Sequence, residues 1–488
     1  MKNNTAKKDE RTPSWGLSLV PFVVLIAALF FVIRFFGADA LDGASQVALL
    51  FGATVCVAIA MIVCHVPWKK LEEAMTGNIS SIGTAILILF LIGAISGTWM
   101  ISGIVPTLIY YGMKVLSPAI FLFACCIICA AISLVTGSSW TTIATVGVAL
   151  IGVGMALGYS AGWTAGAIIS GAYFGDKISP LSDTTVLASS STGTPLFEHI
   201  RYMLITTVPS FTITCIIFLI VSICHASGSE AASSAADFAP ALKETFCISP
   251  WLMIVPVITG VMIAKKLPAL VTLTVSAIAA AVAAVIAQPE IVAQIGGGSG
   301  ETLGDMFKGV MIMFYGDTSI STGNLMLDGL VETHGMTGML NTVFLIMSAA
   351  AFGGAMTGSG MIRSITEALT RKINGRTSLV AGTVSSGIAC NMITGDQYLS
   401  IILVSSLYKK LFKDKGFESR LLSRSAEDSA TVTSVLIPWN SCGMTQSTVL
   451  KVPTLDYLPY CFFNLISPLM SITIAAIGYK IVRHDPQE

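Results

Sequence analysis

The chain has 488 residues, of which 54% are apolar and only 11% charged, with 27 basic side chains matched by 27 acidic ones. A soluble domain carries about 25% charged residues, so a mean hydropathy of +0.80 excludes an ordinary soluble fold and points to a polytopic membrane protein. The zero net charge implies no nucleic-acid partner, and the absence of a GxxxxGK[ST] loop excludes a built-in ATPase motor.

Hydropathy places about ten spans along the chain. A tail at 1–16 leads into a span at 17–36 that ends in FFGADALDG; this is no small-residue cleavage site, so the run reads as an anchor. Spans follow at 44–66 and 82–99. The stretch 118–157 is apolar but cut by TGSSW, and reads as a hairpin that enters and leaves on one side. A long, broken span at 159–198 and another at 200–224 close the first half, and a loop at 225–248 leads to the second. That half has spans at 249–265, 268–287 and 337–358, a hairpin at 379–411 cut by TGDQY, a broken span at 425–450 and a last span at 458–481. The 11 cysteines mostly sit in apolar runs, as Cys125, Cys126 and Cys129 do, and read as small hydrophobes without zinc spacing. Only Cys224 and Cys247, which flank one loop, invite a disulfide. No cofactor is expected.

Basic residues set the orientation. With the N-terminus in the cytoplasm, Lys69, Lys70, Arg201, Lys265, Lys266, Arg371, Lys372, Arg376, the cluster from Lys409 to Arg424, Lys480 and Arg483 all fall inside. Few basic residues (Arg34, Lys114, Lys243, Lys308 and Lys451) fall outside. Both termini, including the short tail at 483–488, are then cytoplasmic, and the protein belongs in the inner (cytoplasmic) membrane.

Two pairs of segments repeat at one offset. TGSSWTT starts at Thr136 and TGDQYLS at Thr394, 394 − 136 = 258 residues on; ISPLSD and LIPWNSCG align Pro180 with Pro438 at the same offset. SGI at Ser102 and SGM at Ser359 fall one residue short of it. Each half, 17–224 and 249–482, then holds five spans plus a re-entrant hairpin, and the odd number of crossings inverts the second copy. Inverted repeats with discontinuous helices are the build of secondary transporters. The expected fold is therefore all-α and polytopic, with two inverted repeats and one broken helix in each.

Backbone breaks explain the polar motifs. Lipid cannot satisfy free N–H and C=O groups, so an unwound segment is tolerated only against protein or water. Proline frees carbonyls, and carbonyls with hydroxyls and a carboxylate form an all-oxygen site of the kind hard cations favour. Asp183 is the first candidate for the Na⁺-binding carboxylate, with Ser182, Thr184 and Thr185 adding hydroxyls; the plainer reading is a helix cap. Asn440 and Ser441 match Ser182 and Asp183 by position, so the second half lacks that acid. It offers Asp396 as a Na⁺ ligand at its hairpin tip, beside Thr394, where the first tip has Thr136 and Ser138. Asp176 is a second carboxylate one turn before the break; Lys177 next to it pairs elsewhere or snorkels. Glu427 reads as a gate at a cytoplasmic entrance, Asp428 as a first-turn acid pairing with Arg424, and His199 as an interfacial cap rather than a proton relay.

GDKISPLSDTT (175–185), TGSSWTT (136–142) and AEDSATVTSVLIPWNSCG (426–443) resemble the NhaC family of Na⁺/H⁺ antiporters, within the ion transporter superfamily, and the likeness runs from about residue 15 to 480. The resemblance implies Na⁺ and H⁺ as the transported species, a homodimer in the lipid bilayer, and a transport domain that moves as an elevator. Some relatives of that family couple Na⁺ and H⁺ to malate and lactate or carry amino acids. A small organic anion or amino acid is therefore the alternative cargo, with Lys177, Ser138, Ser139 and Ser189 to Thr192 as the residues that would meet it. A channel is the remaining class, and broken helices with hairpins favour alternating access over it.

Overall fold

The computed structural model describes residues 12–36, 43–226, 239–265, 267–297, 303–323, 325–370, 373 and 375–482. Among these the chain is almost wholly helical, and Thr318 and Thr333 form an isolated bridge. Among the described residues eight helices are long and apolar enough to cross a membrane, or ten if each of two bent pairs forms one span. This makes it a multi-pass membrane protein. Its exterior carries large apolar side chains such as Val23, Phe35, Ile220, Val257 and Ile286 in the open, a surface that water penalises and hydrocarbon does not.

The expected spans at 17–36, 44–66, 268–287 and 337–358 correspond to helices Trp15–Phe36, Ala44–Ile62, Ala269–Ala287 and Leu340–Gly358. The span at 82–99 is only the apolar end of a longer run, Trp68–Ile101, whose first part, WKKLEEAMTGNISS, is amphipathic and escapes a hydropathy window. The segment at 249–265 is preceded by a short helix, Ala239–Thr245, bent by 92° against Pro250–Ile263. Helices Pro289–Ile295, Leu303–Tyr315, Leu325–Val331 and Met361–Thr370 were not anticipated; they are short and mixed in polarity, so no apolar window marks them. The legs of the first hairpin, Pro118–Thr136 and Ser139–Ala156, are each long enough to cross a membrane, so length alone does not distinguish a re-entrant hairpin from two spans. Cys224 and Cys247 are both free thiols; the disulfide considered for them is absent.

Buried apolar side chains gather in two large clusters. One surrounds the first hairpin and helix Ala161–Ile178, the other Leu340–Gly358, Arg376–Thr394 and the first two helices. Between helix Phe121–Thr136 and helix Ala161–Ile178 the backbones nearly touch. A methyl group on Gly171 would overlap the Cys126 carbonyl, and one on Gly175 the Ala130 carbonyl. Small residues four apart are how membrane helices pack closely, and here the packing clamps a hairpin leg against a broken helix.

That contact predicts the effect of a bulky substitution. Gly171→Val should lower stability by about 1–3 kcal/mol through overpacking, read as a fall in the thermal unfolding midpoint in detergent. An unchanged midpoint would mean that the two helices can separate without loss.

Candidate functional site

The two hairpin tips share one hydrogen-bonded pattern. Each first leg ends on a glycine in the left-handed region, Gly137 at φ 68 and Gly395 at φ 66, where a side chain would be strained. At the first tip, Thr136 Oγ1 donates to the Ser138 carbonyl, and so does Thr142 Oγ1 four residues on. At the second, Thr394 Oγ1 and Ser400 Oγ donate to the Asp396 carbonyl with the same spacings. Each tip then meets its broken helix in the same way. Ser133 donates to the Ala172 carbonyl and Asn391 to the Ala430 carbonyl, both across 39 positions. Ser139 donates to Asp176 and Ser434 to Gln397, both across 37.

The breaks themselves are short extended stretches. Helix Ala161–Ile178 stops at Ser179, and Asp183–Thr192 starts after Ser182. In the second half, the turns Glu427–Thr431 and Ser434–Leu436 lead to an extended Ile437, and Ser441–Leu450 starts after Asn440. Residues of the breaks take up carbonyls of the hairpin legs and of the broken helix itself, as lipid requires. Ser179 Oγ donates to the Leu134 carbonyl at 2.8 Å and Trp439 Nε1 to the Met392 carbonyl at 2.7 Å. Thr185 Oγ1 donates to the Lys177 carbonyl at 3.0 Å across the break.

Four helices therefore begin at the same place, and each has a side-chain cap. Ser138 accepts from the Thr141 N–H at 3.2 Å, Ser182 from Thr185 at 3.5 Å, Asp396 from Leu399 at 2.9 Å and Asn440 from Cys442 at 3.1 Å. These N-termini surround a cavity of about 640 Å³. Of the candidate residues, Asp183, Ser182, Thr184, Asp176, Ser138, Thr136, Asp396 and Ser441 line it; Thr394, Asn440 and Glu427 do not.

The three carboxylates at the cavity differ in how they are held. Asp176 is buried, and its Oδ2 accepts the Ser139 O–H at 2.6 Å and N–H at 3.1 Å. Asp396 is buried, with one oxygen on its cap and the other 3.4 Å from Ser441 Oγ. Asp183 is exposed to the cavity in the first turn of its helix, and among the described residues no hydrogen bond or ion pair engages its carboxylate. Ser182, not Asp183, is the cap, so the cap reading does not account for this acid. A helix N-terminus favours negative charge there. No Lys, Arg or His lines the cavity among the described residues.

Trp140, Gln397 and Tyr398 also line the cavity and were not singled out. A signal existed, since TGSSW and TGDQY place Trp140 and Tyr398 at the same position of the repeat. Ser81, Thr84, Ile88, Ile263 and Thr272 line it from other helices, and nothing in their local sequence marks them.

Comparison with known proteins bears on this geometry. A family described as the Na⁺/H⁺ antiporter family matches residues 12–190 and 171–479. The chain belongs to the Na⁺/H⁺ antiporter family. It is 36% identical over 433 residues to the Na(+)/H(+) antiporter NhaC of Alkalihalophilus pseudofirmus, covering 88% of this chain and 90% of that protein. It is 32% identical to the malate-2H(+)/Na(+)-lactate antiporter of Bacillus subtilis, covering 96% of each chain. It is 30% identical to the arginine/ornithine antiporter ArcD of Halobacterium salinarum, covering 98% of this chain and 95% of that one. As a member of the Na⁺/H⁺ antiporter family the chain is a transporter and not an enzyme.

Behind the cavity lies a second polar cluster that is fully buried. Lys177, with no exposed surface, donates to Asp428 Oδ1 and, at 2.9 Å, to Ser467 Oγ. Thr206 and Ser467 donate to the same Asp428 oxygen, each at 3.2 Å, and Arg424 Nε stands 4.0 Å from the other. Arg424 also lies over the Tyr202 ring at 4.7 Å. Three expectations change here. Asp428 pairs with Arg424 as expected but is no first-turn acid, because helix Ser419–Ala426 precedes it and its nearer partner is Lys177. Glu427 is fully buried, with neither carboxylate oxygen hydrogen-bonded, so it is not at an entrance. His199 is buried and paired with Ser423 through Nδ1, so it is not interfacial.

Two predictions separate structural roles from chemical ones. Asn caps as well as Asp, so Asp396→Asn should leave the unfolding midpoint near wild type, whereas Asp396→Ala loses about 1 kcal/mol; equal losses would show that charge, not capping, matters for stability. Lys177→Met leaves Asp428 buried beside Arg424 alone and should cost roughly 3 kcal/mol, the low end for a broken buried pair. Adding Asp428→Asn, which keeps an oxygen for Thr206 and Ser467, should recover most of that loss in denaturation measurements, and no recovery would assign the loss to packing.

Proposed function

We propose that this chain exchanges Na⁺ for H⁺ across the inner (cytoplasmic) membrane by alternating access, with Asp183 as the carboxylate that the two cations share. The carrying observation is the cavity: Asp176, Asp183 and Asp396 converge there with the hydroxyls of Ser138, Ser182, Thr184 and Ser441, and no basic residue lines it among the described residues. Oxygen donors of this kind suit a hard cation such as Na⁺. Asp183, free of protein partners, is the group able to change occupant. One carboxylate cannot hold Na⁺ and a proton together, because each neutralises the charge that attracts the other. If only loaded forms cross readily, inward movement of one ion drives outward movement of the other.

Three further features belong to the same proposal. The recurrence of hydrogen bonds at equal spacing in both halves supports two structurally related repeats, and the odd number of crossings in each makes them inverted. The distribution of basic residues puts both termini in the cytoplasm. A homodimer follows from the family resemblance.

The second reading is coupling to an organic solute. Two relatives carry such names, the malate-2H(+)/Na(+)-lactate antiporter and the arginine/ornithine antiporter. The cavity counts against an organic anion. Of the residues expected to meet it, Ser138 lines the cavity, but Lys177, the cation, is occupied by Asp428 outside the lining, and Ser139 and Ser189 to Thr192 do not line it either.

The test uses proteoliposomes with a trapped pH dye. A Na⁺ jump without organic solute should move protons saturably, and K⁺ or choline should not. Asp183→Asn should remove this movement, lowering the rate by at least about 100-fold, while its unfolding midpoint stays near wild type because no protein contact is lost. Proton movement that requires malate, lactate or an amino acid would favour the second reading, and undiminished exchange in Asp183→Asn would sink the first.

A further inference from the structure

A second cavity, of about 310 Å³, is lined by Ile92 and Ser96 of helix Gly83–Ile101, Ala144 and Val148 of the first hairpin, and Thr448 and Lys451 at the end of the second broken helix. All three walls continue walls of the first cavity. Helix Gly83–Ile101 gives Thr84 and Ile88 to the first cavity and Ile92 and Ser96 to the second. Ile88, Ile92 and Ser96 stand four residues apart and share one helix face. The hairpin gives Thr141 to the first cavity and Ala144 and Val148 to the second, again on one face. The second broken helix gives Ser441 to the first and Thr448 to the second.

At 1.5 Å per residue, about 6 Å separates Ile88 from Ile92 and about 4.5 Å separates Thr141 from Ala144. Ser441 and Thr448 stand seven residues, about 10.5 Å, apart, so the cavities are in line with one to two helical turns between them. On the hairpin that interval opens the π-helical stretch Ile143–Gly147, a departure from regular winding that is frequent at functional sites. On the second broken helix Met444 and Thr445, both buried, fill the same level.

The far mouth is fastened. Lys451 ends helix Ser441–Leu450 in the left-handed region, at φ 55. Its ammonium donates to the carbonyls of Gly329 at 3.4 Å and Leu330 at 3.5 Å, and to that of Glu332. These carbonyls close helix Leu325–Val331, where a cation is favoured. Thr448 Oγ1 and Thr342 Oγ1 hydrogen-bond at 2.7 Å beside it. The broken helix is therefore tied to the segment that lines the mouth.

We infer that the smaller cavity is the opposite-side half of the transport path, that the interval between the cavities is its closed gate, and that Lys451 latches its mouth. This rests on the transporter reading but not on which ion is carried. The test is thiol accessibility in a background with Cys224 and Cys247 changed to serine, the two exposed cysteines among the described residues. Single cysteines replace Thr84 in the larger cavity and Val148 in the smaller, and an impermeant maleimide is applied to either side of sealed vesicles. Thr84→Cys should label from one side only. Val148→Cys should label only from the other, and on the order of tenfold faster when Lys451→Met removes the charged hydrogen bonds; Lys451→Gln takes its place if that variant does not fold. Labelling of both cysteines from the same side, of Thr84→Cys from both sides, or of Val148→Cys from neither side or at a rate indifferent to position 451 would overturn the inference. A chain that labels as expected but moves no protons with Na⁺ keeps this path and loses the exchange reading.

Discussion

Hydrocarbon offers the backbone nothing to bond with, and the architecture of this chain follows from that constraint. A helix can stop at membrane depth only if the groups it releases find partners inside the protein. Here two hairpins and two broken helices stop at nearly one point, and each relieves another. Ser179 and Trp439 cover carbonyls of the hairpin legs, Thr185 covers the end of its own broken helix, and the Ser441 N–H reaches the Gly395 carbonyl at 2.8 Å. The cluster of interruptions costs little because the interruptions satisfy one another, and the space they leave is polar by necessity.

Within that space most of the polar side chains already have structural work. Ser138, Ser182, Asp396 and Asn440 cap helices, and Thr136 and Thr394 lock the tips. Asp183 is different. Its carboxylate meets the cavity without a protein partner, and it sits where a helix N-terminus supports negative charge without a lysine. The one lysine nearby in sequence, Lys177, is turned to Asp428 and fully buried. Sequestering it leaves the cavity acidic, which is the condition for attracting a cation rather than excluding it.

The hairpins, the breaks and their spacing were legible in the sequence because each is marked by residues rare in apolar runs: a glycine with hydroxyls at the tips, and a proline followed by a cap at the breaks. Eight of the candidate residues converge on one cavity for the same reason. What stayed hidden depends on partners far along the chain. No local pattern says that Lys177 will meet Asp428, 251 residues away, or that Ile88 and Thr272 will wall a cavity. Glu427 was misplaced because an acid near a run of basic residues looks superficial, and His199 because it stands between two expected spans. Helix Ser419–Ala426 in fact carries such residues inward, and fully buried Arg424 is the plainest sign of it.

The two halves repeat in geometry but not in charge, and the difference bears on how the site works. Where the first half places Asp176 against Ser139, the second places Ser434 against Gln397; where the first has Ser138 at its hairpin cap, the second has Asp396. Asp183 faces a counterpart, Ser441, with no charge. Strict repetition would bring two further acids to the cavity, at Ser138 and Ser441, and a third beside it at Ser434, and crowded carboxylates repel and take up protons rather than metal cations. Neutral counterparts avoid that outcome while keeping the hydroxyls and helix ends that shape the cavity. The second repeat thus matches the first in backbone geometry while adding one acid, Asp396, to the two that the first brings to the cavity.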